Sequence, residues 1–150
     1  MHKAIVTFFG LGYAPKAPGT VGALGGILLF ALLQWLGISQ WLFSVVLLFV
    51  FFLGVYSSTQ IEKQWGKDNG RVVIDEVLGV GVSLLFVPFR WEYYAVAFGL
   101  FRLFDIWKPL FIRETEKLKG GWGVMIDDLL AGIVANVVLQ ILILISERLL

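Results

Sequence analysis

The chain has no cysteine among its 150 residues and a single histidine, His2, at its start. The first absence excludes disulfides, thiolate metal sites and cysteine nucleophiles. The second removes the usual general base from any buried position, and with it phosphohistidine chemistry. Charge is scarce too: 15% of residues are charged, with a net charge of +1. A nucleic-acid binder normally carries a basic excess, so that class is set aside. What is present is apolar. Hydrophobic residues make up 59% of the chain and the mean hydropathy is +0.86, outside the range of an ordinary soluble domain. A bilayer crossing takes about 20 apolar residues, so a single domain of this length has room for roughly five.

Five apolar segments can be marked, at about residues 21–38, 41–59, 72–89, 93–107 and 124–145. The first two are uncharged and separated by Ser39 and Gln40, which makes them a tight helical hairpin. Pro109 stops the fourth, because proline lacks the amide that the next turn needs. Residues 4–12 are too short for a crossing. Pro15 and Pro18 follow them where a signal peptide would have a small-residue cleavage site, so this piece reads as a retained interfacial or re-entrant segment. The expected fold is an all-α polytopic bundle in one domain. With the N-terminus inside, Lys3, Lys16, Lys63, Lys67, Arg71, Lys108, Arg113, Lys117 and Lys119 share one side, and only Arg90 and Arg148 lie on the other. That asymmetry places the nine at the cytoplasmic face of the membrane.

The carboxylates are distributed less evenly than the cations. Asp75 with Glu76, Asp105, and Asp127 with Asp128 all sit at the ends of apolar segments, and the topology brings all three groups to the cytoplasmic rim. Two of the groups enter their segments in nearly the same words, Ile74-Asp75-Glu76-Val77-Leu78-Gly79 and Ile126-Asp127-Asp128-Leu129-Leu130-Ala131-Gly132. Six residues are too few to establish a duplication. An ionised carboxylate at a bilayer rim is costly without compensation. A hard divalent cation, magnesium above all, supplies it through oxygen ligands. The plainer alternative is that acids at helix N-termini complement the macrodipole. It accounts poorly for Asp105, which ends its segment, although Arg102 or Lys108 could pair with that residue.

Arg102 lies within an otherwise apolar segment, where an arginine normally faces a partner or a polar cavity. It suits phosphate oxygens through its fork, and Lys108 does so as a point charge. Ahead of the first long segment, Gly10-Leu11-Gly12-Tyr13-Ala14-Pro15-Lys16-Ala17-Pro18-Gly19-Thr20 is a Gly/Pro loop. Its freed amides and following helix start could receive an anion, with Lys16 and Thr20 as side-chain contacts, or it could be only a turn. Asp128, Gly132, Asn136 and Gln140 recur every four residues and mark a bundle-facing stripe.

Taken in order, Pro18-Gly19-Thr20, Asp75-Glu76, Arg102 to Pro109 and Gly121 to Asp128 resemble the phosphatidylglycerophosphatase A family over residues 10–132. The resemblance implies a magnesium-dependent lipid phosphatase of the bacterial inner membrane. Such an enzyme hydrolyses phosphatidylglycerophosphate to phosphatidylglycerol and inorganic phosphate. Asp75, Glu76, Asp105, Asp127 and Asp128 would then serve catalysis and metal, and Lys16, Thr20, Arg102 and Lys108 the phosphate. The rival from another class is a small ion or solute transporter. Transport sites usually lie near the midplane, whereas here the outer halves of the segments carry no ionisable residue.

Overall fold

The computed structural model describes residues 1–149. Seven helices and no strand are formed among them: α1 (His2–Val6), α2 (Pro18–Trp35), α3 (Gln40–Trp65), α4 (Ile74–Ser83), α5 (Trp91–Trp107), α6 (Leu110–Thr115) and α7 (Gly121–Leu149). A 3-10 turn at Leu11–Tyr13 joins α1 to the loop before α2. The expected all-helical membrane bundle is what forms.

Local chemistry sets the boundaries. Pro18 occupies the first turn of α2, where its missing amide costs nothing. Gly37 takes a positive φ of 81° after α2, and the Ser39 hydroxyl accepts the Leu42 amide at 3.3 Å to cap α3. The short loop read from Ser39 and Gln40 is therefore a built turn. Lys108 ends α5 in the left-handed region, with Pro109 directly behind it.

Helices α2, α3 and α7 are long and apolar enough to cross a membrane. The segment read as a third crossing is resolved more finely. Its helix, α4, has ten residues, a rise of about 15 Å, half the hydrocarbon thickness. It stops at Ser83, and the chain turns with Phe86 at φ 57°. A helix that ends inside a membrane strands its last carbonyls unless protein supplies donors. Here Asn136 donates to the carbonyls of Ser83 at 3.0 Å and Leu85 at 2.8 Å. Gln140 donates to Leu85 at 3.1 Å, and Gln40 accepts the Phe86 amide at 3.0 Å. The polar stripe on α7 is thus the clamp on the broken end of α4.

α4 is the centre of the molecule: every residue except Glu76 is buried. Against α7 the two helices meet glycine to glycine. A Cβ added to Gly132 would land on the Gly79 carbonyl, and one added to Gly79 would come within 2.7 Å of the Asp128 carbonyl. Gly79 lies four residues beyond Asp75, and Gly132 four beyond Asp128. The two helices thus run in register, Asp75-Gly79-Ser83 beside Asp128-Gly132-Asn136. This is one residue out of step with the near-repeat, which sets Asp75 against Asp127; the close backbone approach draws Asp75 and Asp128 together.

The register gives a stability ranking. Asn136→Leu should cost about 1–3 kcal/mol, since the Ser83 carbonyl loses its side-chain donor in a buried setting. Gln140→Leu should cost less, because Leu85 keeps Asn136. Melting midpoints in detergent compare the two, and equal losses would remove the clamp from the account.

Candidate active site

Asp75, Glu76 and Asp128 each present a carboxylate oxygen to a common point, the three atoms lying within 4.8 Å of one another. Asp75 and Glu76 come from the first turn of α4. Asp128 reaches them from the second turn of α7, which begins at Gly121 and has no acid in its first turn. Helix capping thus remains available to the first pair and is excluded for Asp127 and Asp128. The Oδ1 of Asp75, Oε2 of Glu76 and Oδ2 of Asp128 are buried without a hydrogen-bond partner. Buried carboxylate oxygens without donors are costly. Three of them facing one point form a set of hard oxygen donors that fits a divalent cation.

The other two carboxylates are held by cations. Asp105 pairs with Arg102 one turn earlier on α5 and faces Glu76 and Asp128. Asp127 Oδ2 accepts from Lys108 Nζ at 2.6 Å, while its Oδ1 accepts the Asp128 amide at 3.0 Å. Lys108 also donates to Glu116 Oε1 at 2.6 Å. Burial works against the Lys108 ammonium, but the hydrogen bonds it donates to Asp127 and Glu116 outweigh it and hold the group protonated above the usual lysine range. One of its three donors is left for a ligand. Arg102 likewise keeps a spare donor, since its Nε is buried and unpartnered.

Asp75, Glu76, Lys108 and Asp127 line a cavity of about 240 Å³, while Asp128, Arg102 and Asp105 lie behind its wall. Further polar members of the wall escaped sequence reasoning: Ser58 and Glu62 on α3, Asp68 and Asn69 in the loop after it, and Glu116 after α6. Glu116 sits in a basic loop whose cations explain themselves as topology signals, so no local pattern marks it. Ser58 is one of three serines in an apolar helix. Its buried, unpartnered hydroxyl distinguishes it only once the fold is known.

The Gly/Pro loop meets the site through Gly19, not through its charged side chain. A Cβ on Gly19 would fall on Glu76 Oε1 and lie 3.4 Å from an Arg102 amino nitrogen. The start of α2 is thereby pressed against both. Thr20 is half-buried in the same turn, and Lys16 is exposed on the loop, with neither in the cavity wall.

A helical membrane bundle that gathers five carboxylates and two tethered cations around an acid-lined cavity has the layout of a membrane-embedded enzyme. The chain matches the family model described as "Phosphatidylglycerophosphatase A" over residues 4–143 and belongs to that family; it is a lipid phosphatase. Its relatives include a protein of Bacteroides thetaiotaomicron named "Putative phosphatidylinositol-3-phosphatase". That protein is 44% identical over 144 residues, which is 91% of this chain and 90% of the relative. The phosphatidylglycerophosphatase A of Escherichia coli is 38% identical over 85% of this chain and 74% of its own length. That of Haemophilus influenzae is 43% identical over 87% of this chain and 81% of its own. No solved structure matches the chain.

Proposed function

We propose that the chain removes the terminal phosphate from phosphatidylglycerophosphate, with magnesium, at the cytoplasmic rim of a bacterial inner membrane. The observation that carries this reading is the trio of unpartnered carboxylate oxygens on Asp75, Glu76 and Asp128 beside two cations with spare donors. Magnesium held there would supply Lewis-acid stabilisation of charge on the phosphoryl oxygens. The chain's own part is positioning. Lys108 and Arg102, fixed by Asp127, Glu116 and Asp105, direct their remaining donors toward phosphate oxygens, so no reorganisation is needed as negative charge develops. Water adds to phosphorus, a carboxylate of the cluster takes the water's proton, and as the bond to the glycerol oxygen breaks that oxygen receives the proton and leaves as the alcohol. The excess of lysine and arginine at this end supports a cytoplasmic site, where a headgroup meets the cavity while its chains remain beside the spans.

The Bacteroides relative favours a second substrate, a phosphatidylinositol phosphate, for the same reaction. Purified protein offered both lipids, with and without magnesium, decides between them by the rate of phosphate release. The reading fails if neither lipid yields phosphate.

Arg102→Lys tests the assigned fork. It keeps the charge opposite Asp105 but loses planar two-point contact, so turnover should fall about tenfold or more while the melting midpoint stays close to wild type. Near-normal turnover at saturating lipid would make Arg102 a purely structural partner of Asp105.

A further inference from the structure

Beside the acid cavity lies a second recess of about 410 Å³, whose wall includes Tyr13, Pro15, Pro18, Asn69, Gly70 and Arg71. Asn69 and Gly70 belong to both, so the two spaces adjoin. Arg71 is exposed and forms no ion pair among the described residues, unlike Arg102 and Lys108. Its guanidinium instead lies over two rings, 5.9 Å from the centre of Tyr13 and 5.7 Å from that of Trp65. The rings themselves meet edge to face at 6.3 Å.

This is a rigid mounting for a charge that no carboxylate neutralises. Asn69 accepts the Arg71 amide at 3.1 Å and donates to the Trp65 carbonyl at 3.3 Å. Gly12 lies so close under the Arg71 carbonyl that a Cβ there would collide with it, which locks the Gly/Pro loop to this strand of chain. An arginine held by aromatic rings and not by a carboxylate keeps its donors free for an oxyanion. Arg71 also precedes Asp75 by four residues, at most about 14 Å of extended chain.

We propose, resting on the reading that the substrate is a phosphatidyl lipid with a terminal phosphomonoester, that Arg71 with Tyr13 forms a second anion subsite for the phosphodiester of the same lipid. Both candidate substrates carry that phosphodiester a short polyol away from the monoester. The assignment divides the headgroup between the two recesses, with the monoester in the acid cavity and the diester on Arg71. It also gives the Gly/Pro loop a role as the wall of the diester recess.

The test measures binding and needs no turnover. Full-length protein in uncharged detergent micelles is melted against increasing phosphatidylglycerol, which has the diester and lacks the monoester. Parallel series use oleate (an anionic chain without a phosphodiester), water-soluble glycerophosphoglycerol, and inorganic phosphate. Phosphatidylglycerol should bind wild type about tenfold more tightly than Arg71→Leu, the worth of one charge-assisted contact. Arg71→Lys should fall between them and guards against a misfolded leucine variant. Inorganic phosphate, reporting the acid cavity, should bind all three alike. The proposal is overturned if Arg71→Leu and Arg71→Lys both bind phosphatidylglycerol like wild type. It is overturned equally if oleate matches phosphatidylglycerol, because Arg71 then reads charge alone. Glycerophosphoglycerol binding as tightly as the lipid, with the same dependence on Arg71, would overturn the lipid as the source. Turnover of phosphatidylglycerophosphate by wild type is a separate measurement: its absence sinks the substrate reading, whereas lost dependence on Arg71 in an active enzyme sinks only the subsite.

Discussion

Replacing Asp128 by asparagine is expected to cut phosphate release at least about a hundredfold, the scale of losing one preorganised charge-stabilising group. Stability should move the other way in the absence of metal. Asp128 is 2% exposed and faces Asp105, Glu76 and Asp127, so neutralising it relieves repulsion among buried like charges. In excess chelator, Asp128→Asn should therefore melt above wild type. Added magnesium should raise the wild-type midpoint by mass action and leave the variant nearly unmoved. Function and stability are opposed at this position, as expected of a cluster arranged for a ligand and not for the empty fold. Chelator-treated wild type that still releases phosphate at full rate would sink magnesium dependence. A variant melting below wild type in chelator would mean that Asp128 is satisfied by the fold itself.

Lys108→Met is expected to remove activity and to destabilise the protein by about 3–5 kcal/mol, the usual cost of leaving one member of a buried ion pair alone. Asp127 has only 6% of its side chain exposed, so water compensates it little once the ammonium is gone. Adding Asp127→Asn to Lys108→Met should recover most of the lost stability and none of the turnover. A double variant no more stable than the single one would show that Lys108 contributes through packing and not through charge. The pH dependence has a definite sign. The Lys108 value is raised on folding, so its contribution is complete below the ordinary lysine value of 10.5. That contribution is lost as pH climbs through the raised one. The pair should hold through neutrality and weaken only in strong alkali, which a melting series from pH 7 upward would record.

The sequence made the membrane bundle legible because hydropathy over a long window is a local property. It also exposed the carboxylates, since acids at apolar edges are expensive and therefore informative. Two features resisted. The break after Ser83 is invisible to hydropathy, because Leu84, Leu85 and Phe86 are as apolar as the helix before them. What permits the break is an asparagine and a glutamine more than 50 residues further on. Pro88 was the sole local sign, as a residue before proline is turned away from the helix. Tethering was the second blind spot. Arg102 and Lys108 could be matched to phosphate by chemistry, but that Glu116 restrains Lys108 depends on how the loop after α6 folds back. The near-repeat of the two acid pairs was visible as similar wording, but the register that α4 and α7 adopt, Gly79 against Gly132, is shifted from it by one residue and emerged only from the fold.

That register also fixes an order of manufacture. Of the five apolar helices, α7 is synthesised last, yet it brings Asp127, Asp128 and both amides that clamp α4. Until it enters the membrane, a ten-residue helix must wait with the Ser83 and Leu85 carbonyls lacking their side-chain donors and its two acids apart from Asp128. The nascent protein can lay down the α2–α3 hairpin early, but α4 has no stable depth of its own. Gathering of the carboxylates is thereby deferred to the closing stage of translation, since a chain that ends before Gly121 carries Asp75 and Glu76 but neither Asp127 nor Asp128.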